Sequence, residues 1–107
     1  MSRVIPFTMA EYKNSRSRKK PVLLYFLTHS CAPCHLQEYI LDEVAEMIGD
    51  RAIIGKINAD DEPALSEKFE VQSIPIILLL VGGRLYQRMS GLHLAPTLVS
   101  ALQKAGA

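Results

Sequence analysis

The apolar residues of this chain fall in short blocks separated by polar turns. Val22 to Leu27 is an unbroken apolar run of strand length, with Pro21 before it and Thr28-His29-Ser30 after it. Such a run reads as a strand covered on both faces, which places it in an α/β sheet. Beyond Cys31 the period changes. Leu36, Tyr39, Ile40, Val44, Met47 and Ile48 recur at helical spacing, with Gln37, Glu38, Asp42, Glu43 and Glu46 between them. This predicts a helix with the first set inward and the second outward. Pro33 suits its first turn and Gly49 its end. Residues 52–58 read as a second buried strand, interrupted by the charge of Lys56. Asp60-Asp61-Glu62-Pro63 predicts the cap of a short helix from residue 63 to about 70.

Toward the end of the chain, residues 76–81 and 85–89 flank Gly82-Gly83 and predict an antiparallel hairpin. A last amphipathic helix is expected over residues 95–104, with Leu98, Val99 and Leu102 inward. At the start, Val4-Ile5-Pro6-Phe7 suits an edge strand. Thr8-Met9-Ala10-Glu11 has the form of a capping box for a helix from Met9 to about Ser15. The predicted order is β-α-β-α-β-α-β-β-α, with parallel strands and right-handed crossovers in front and a hairpin behind.

Composition narrows the class. At 107 residues, 49% of them hydrophobic, the chain is expected to form one domain over 1–107 with a core that needs no disulfide staples. The net charge of +1 implies no strong electrostatic partner. Residues 1–20 carry Arg3, Lys13, Arg16, Arg18, Lys19 and Lys20 against Glu11. No interleaved aromatic or repeated basic element accompanies them, so Arg16-Ser17-Arg18-Lys19-Lys20 reads as a solvated loop and no nucleic-acid partner is expected. No stretch reaches the roughly 18 apolar residues of a membrane span, and Met1-Ser2-Arg3-Val4-Ile5-Pro6 lacks a secretory apolar segment. The expectation is a cytoplasmic monomer with no membrane partner. In a reducing compartment, two cysteines at this spacing are catalytic or metal-binding rather than structural.

The chemistry centres on Cys31-Ala32-Pro33-Cys34, placed where a strand ends and a helix begins. A helix N-terminus carries roughly half a positive charge and free N–H groups, so it favours a thiolate over a thiol. A thiolate is what attacks a disulfide. Metal binding is the sharper rival, because His29, Cys31, Cys34 and His35 offer four ligands in seven residues. Against it, His35 directly follows Cys34 and projects about 100° away around the helix. His93 reads as a surface residue.

A C-x-x-C after a strand in a βαβ unit reads as a thioredoxin-like redox site, and further segments carry the resemblance along nearly the whole chain. Cys31-Ala32-Pro33-Cys34 resembles the thioredoxin active site. Val71-Gln72-Ser73-Ile74-Pro75 is similar to the family's cis-proline loop, and Lys56-Ile57-Asn58-Ala59-Asp60 to its strand-end segment. Gly82-Gly83 and Gly91 fall where its hairpin and following glycine belong. The resemblance implies a thioredoxin fold, with a mixed four- to five-stranded sheet flanked by helices on both faces. It also implies reduction of protein disulfides through a Cys31–Cys34 cycle with no bound cofactor, electrons arriving from a reductase or another dithiol carrier. Cys31 at the helix cap is then the expected nucleophile and Cys34 the resolving thiol.

Ser30, Ala59, Ser73, Ile74, Pro75, Gly91 and Leu92 are the expected substrate-docking surface, with Pro75 cis. The chain departs from the family at several positions. Ser30 and Leu27 stand where thioredoxins carry tryptophan, Ala32 where glycine is usual, and Tyr39 where many have proline. Ile76 replaces a threonine, and Tyr25 occupies the place of a buried aspartate. With that acid replaced, the Cys34 proton is expected to leave by solvent, by Lys56, or by a nearby imidazole, with His29 and His35 as the candidates. The alternative function is a non-catalytic module presenting a peptide-docking or metal-binding face.

Overall fold

The computed structural model describes residues 4–107. The expectation drawn from the first residues rests partly on positions 1–3, which lie outside the described residues. Strands β1 (Val4–Pro6), β2 (Val22–Leu27), β3 (Ile53–Asn58), β4 (Ile76–Val81) and β5 (Arg84–Ser90) form one sheet in the order β1-β3-β2-β4-β5. β3 runs parallel to both β1 and β2; β4 is antiparallel to β2 and to β5. Helices α1 (Met9–Ser15), α2 (Ala32–Ile48), α3 (Pro63–Lys68) and α4 (Ala95–Lys104) complete the predicted order, with one 3₁₀ turn at Gly49–Arg51.

β2 shows why its apolar run is continuous. Leu23 and Tyr25 belong to one core with Leu41, Val44, Leu98 and Leu102 of α2 and α4. Val22, Leu24 and Phe26 point into the other core, with Tyr12 of α1 and Leu65 of α3. Successive side chains of a strand face opposite sides, so a strand covered on both faces has no polar positions to alternate. Helix entry is set locally: the Thr8 hydroxyl accepts from the Glu11 amide at the start of α1. The hairpin turns at Gly82 and Gly83, with φ of 61° and 81°, which is the left-handed backbone a tight two-residue hairpin loop requires.

Two local expectations need correction. α2 is rotated from its predicted orientation. Leu36, Tyr39 and Met47 are exposed, at 52%, 69% and 54%, while Gln37 is fully buried. The inward row is Cys34, Gln37, Ile40, Leu41, Val44, Ala45 and Ile48. The side chain of Cys34 points into the core, and positions three, seven and eleven residues later share its side of the helix. Helix α3 is also shorter than expected and ends at Lys68, because Glu70 takes φ 53° and turns the chain away. Its N-cap residue is Glu62, within the expected segment, and makes no side-chain cap bond. Among the described residues, no helix is long and apolar enough to cross a membrane.

Candidate active site

β2 and α2 build the site between them. β2 ends at Leu27, the chain turns through residues 28–30, and Cys31 is the N-cap of α2 with extended backbone. Pro33 lies in the first turn, where its missing N–H leaves no helical bond unmade. Cys31 and Cys34 are joined by a disulfide with Cα atoms 5.3 Å apart, within the range such a bond spans. Cys31 keeps 9% of its surface and Cys34 only 3%. Cys31 is thus the less buried of the two residues.

Pro75, whose peptide bond with Ile74 is cis, directly precedes β4 at the same end of the sheet. Its carbonyl accepts the Gly91 amide at 3.0 Å. Ile74 is half-buried and packs against the core that contains both cysteines. Ser30, Ser73 and Leu92 are exposed and Gly91 is half-buried. Ala59 is half-buried and packs on the opposite core, with its amide donating to the Leu27 carbonyl at 2.9 Å.

Gln37 holds the loop after β5 against α2. Its side-chain amide donates to the His93 carbonyl at 2.9 Å, and its oxygen accepts the His93 amide at 2.8 Å. His93 is half-buried rather than a free surface residue, and its ring Nε2 lies 3.0 Å from the Ser90 carbonyl oxygen. The hydropathy pattern misplaced Gln37 because it counts an amide as outward, whereas a doubly bonded amide is satisfied in the interior. Cys34 is the sequence signal that could have found it, since Gln37 lies one turn further on the same side.

Beneath the disulfide, Tyr25 is fully buried and its phenol donates to the Cys34 carbonyl at 2.7 Å. Burial, and then the negative charge of Glu38, hold this phenol far above its usual ionisation range. Tyr25 pairs in register with Lys56 of β3. The Lys56 ammonium donates to Glu38 Oε1 at 2.8 Å, and the two side chains are 38% and 34% exposed.

The structure thus puts Lys56 in an ion pair with a residue the sequence placed on the solvent side. His29 is directed elsewhere: its Nε2 lies 3.1 Å from Asn58 Nδ2. There it lines a groove of about 340 Å³ together with Leu27, Lys56, Asp61 and Glu62. His35 is exposed on α2. The set His29, Cys31, Cys34 and His35 is not assembled, and no three His, Cys, Asp or Glu side chains among the described residues are grouped to hold a metal ion.

The arrangement can accept and return two electrons through one disulfide whose Cys31 end is the less buried. Comparison with known proteins agrees. The thioredoxin family model matches residues 3–104. The chain is 33% identical over 84 residues to a thioredoxin of Alicyclobacillus acidocaldarius, covering 78% of this chain and 80% of that one. It is 34% identical over 86 residues to Thioredoxin Y2, chloroplastic, of Arabidopsis thaliana, covering 80% of this chain and 52% of that longer one. The solved structure of a thioredoxin from Nicotiana alata superposes with a TM-score of 0.87 at 25% identity, over 97% of this chain and 93% of the other. The chain therefore belongs to the thioredoxin family and is a thiol–disulfide oxidoreductase with Cys31 and Cys34 as its redox pair.

Proposed function

We propose that this protein reduces disulfides of protein substrates as a cytoplasmic monomer, with Cys31 attacking and Cys34 resolving. The observation that carries the order of attack is the pairing of a helix N-cap cysteine that keeps some surface with a second, more deeply buried cysteine one turn inside. In the reduced protein, the Cys31 thiolate attacks a substrate disulfide and expels one substrate thiolate. Cys34 then attacks Cys31 in the mixed disulfide, closing the internal bond and releasing the second substrate thiol. An extended substrate segment lies along the Ile74 backbone, beside Pro75, Gly91 and Leu92, where main-chain pairing with a free strand end supplies affinity. A reductase or another dithiol carrier returns the electrons.

Alkylation of the reduced protein at about pH 6, where only an acidified cysteine is largely thiolate, tests the assignment by peptide mapping. The label is expected on Cys31 first. Faster labelling of Cys34 reverses the roles.

A further inference from the structure

The release step needs a base. Cys34 attacks as a thiolate, and a free cysteine ionises only near 8.5, so near neutrality its proton must be taken up as the new bond forms. Tyr25 does not serve. Its phenol is committed as a donor to the Cys34 carbonyl, and its surroundings keep it protonated. His29 is engaged with Asn58, and His35 is exposed. Lys56, as an ammonium, has no lone pair to offer and is bound to Glu38.

Among the side chains around Cys34, Glu38 is the carboxylate that remains; direct loss of the proton to solvent is the alternative outcome of the test. It lies four residues after Cys34 on α2, a spacing that sets two side chains one above the other on a helix surface. Lys56 reaches it from β3 at 2.8 Å, and the same Lys56 neighbours Tyr25, the residue bonded to Cys34. Cys34, Tyr25, Lys56 and Glu38 therefore form one contiguous polar group under the disulfide. Of this group only Lys56 lines the groove with His29, Asp61 and Glu62; water reaches Glu38 through its own one-third exposed side chain. Among charged and titratable groups, Tyr25 meets Glu38 from β2 and Lys56 from β3, while His35 and Asp42 lie beside it on α2 itself.

We propose that Glu38, held in place by Lys56, takes the proton of Cys34 through a water molecule during release of the reduced substrate. The inference rests on Cys34 being the resolving thiol. The Cys34 sulfur forms its bond to the Cys31 sulfur, and the bond between Cys31 and the substrate sulfur breaks. The electron pair leaves on the substrate thiolate, which takes a proton from solvent. The Cys34 proton passes to the Glu38 carboxylate and then to solvent, so no oxidant or further reductant is involved. Glu38 is a positioning group here, one water removed from the reacting sulfur, and one-third exposure places its effect at the low end for general bases.

The test follows the reduced protein with an aromatic disulfide, dithiobis(nitrobenzoate), in a stopped-flow instrument from about pH 5 to about pH 9. The first phase reports attack by Cys31 and the second reports release by Cys34. Glu38→Gln is expected to slow the second phase at about pH 7 by roughly a hundredfold, to shift its pH profile to the alkaline side, and to leave the first phase unchanged. Glu38→Asp is expected to restore part of the rate and the original profile. A Glu38→Gln second phase that overlays the wild type at every pH overturns the proposal, as does equal slowing of both phases. If mapping places the first-phase adduct on Cys34, the order of attack itself fails, whatever Glu38 does.

Discussion

The Gln37 clamp is the least conspicuous part of the site and gives a sharp test of how it is held. Gln37→Met keeps the length of the side chain and removes both hydrogen bonds to His93. A typical internal hydrogen bond contributes about 1 kcal/mol net, and a buried group left without a partner costs about 1–3 kcal/mol. His93 is half-buried, so water recovers part of its lost bonding. The expected cost is then about 2–3 kcal/mol in total, read as the shift in urea midpoint at unchanged slope.

The lost bonds sit in the loop, so the loop also opens locally before the sheet does. Hydrogen exchange at the His93 amide therefore has to accelerate more than exchange in β2. Because the loop carries Gly91 and Leu92 to the edge of the site, KM for a protein disulfide is expected to rise with little change in kcat. A destabilisation below about 0.5 kcal/mol, with His93 protection intact, would refute the reasoning.

Three further outcomes are expected. Gly55→Ala places a β-carbon within 2.7 Å of the Phe7 ring Cγ, an overpacking expected to cost about 1–3 kcal/mol in thermal or chemical unfolding; a cost near zero would mean that Phe7 gives way freely. The Tyr25 phenol ionises less readily when folded than when unfolded, so its contribution is whole below about pH 10 and falls as pH rises, by about 1.4 kcal/mol at about pH 11. Tyr25→Phe should flatten the alkaline slope of stability by that amount, and an unchanged slope contradicts the assignment. Coupling to a generic bacterial thioredoxin reductase is expected to be weak, since Ser30 and Leu27 stand where the family offers tryptophan and aromatic anchors dominate many contact energies; NADPH-dependent turnover equal to that of an ordinary thioredoxin refutes this.

The parts of this structure legible in the sequence are those written in contiguous residues. The run from Val22 to Leu27, the cysteine spacing after it, the Gly82-Gly83 turn and the Ile74-Pro75 loop each announce themselves locally. Their order suffices to reproduce the element order and sheet class. The parts not legible depend on partners far along the chain. Gln37 is buried because His93, 56 residues away, offers both an amide and a carbonyl.

Glu38 faces Lys56 only because the register of β3 beside β2 brings residue 56 under α2. Hydropathy counts both Gln37 and Glu38 as solvent-side, and it counts Leu36, Tyr39 and Met47 as core. The buried side chain of Cys34 marks the rotation of the helix instead. Taking Cys34 as the inward reference, rather than the most apolar stripe, selects Gln37, Leu41, Ala45 and Ile48. It also places Glu38 one turn above the resolving sulfur.

The central claim is that an exchange cycle at Cys31 and Cys34 reduces protein disulfides. Dithiothreitol-driven reduction of insulin, followed by the turbidity of the separated chains, tests it most directly. The wild type is expected to accelerate the reaction well beyond dithiothreitol alone, Cys31→Ser to lose all acceleration, and Cys34→Ser to stall as a mixed disulfide on Cys31. Acceleration by Cys31→Ser equal to that of the wild type, or none by the wild type itself, would contradict the account.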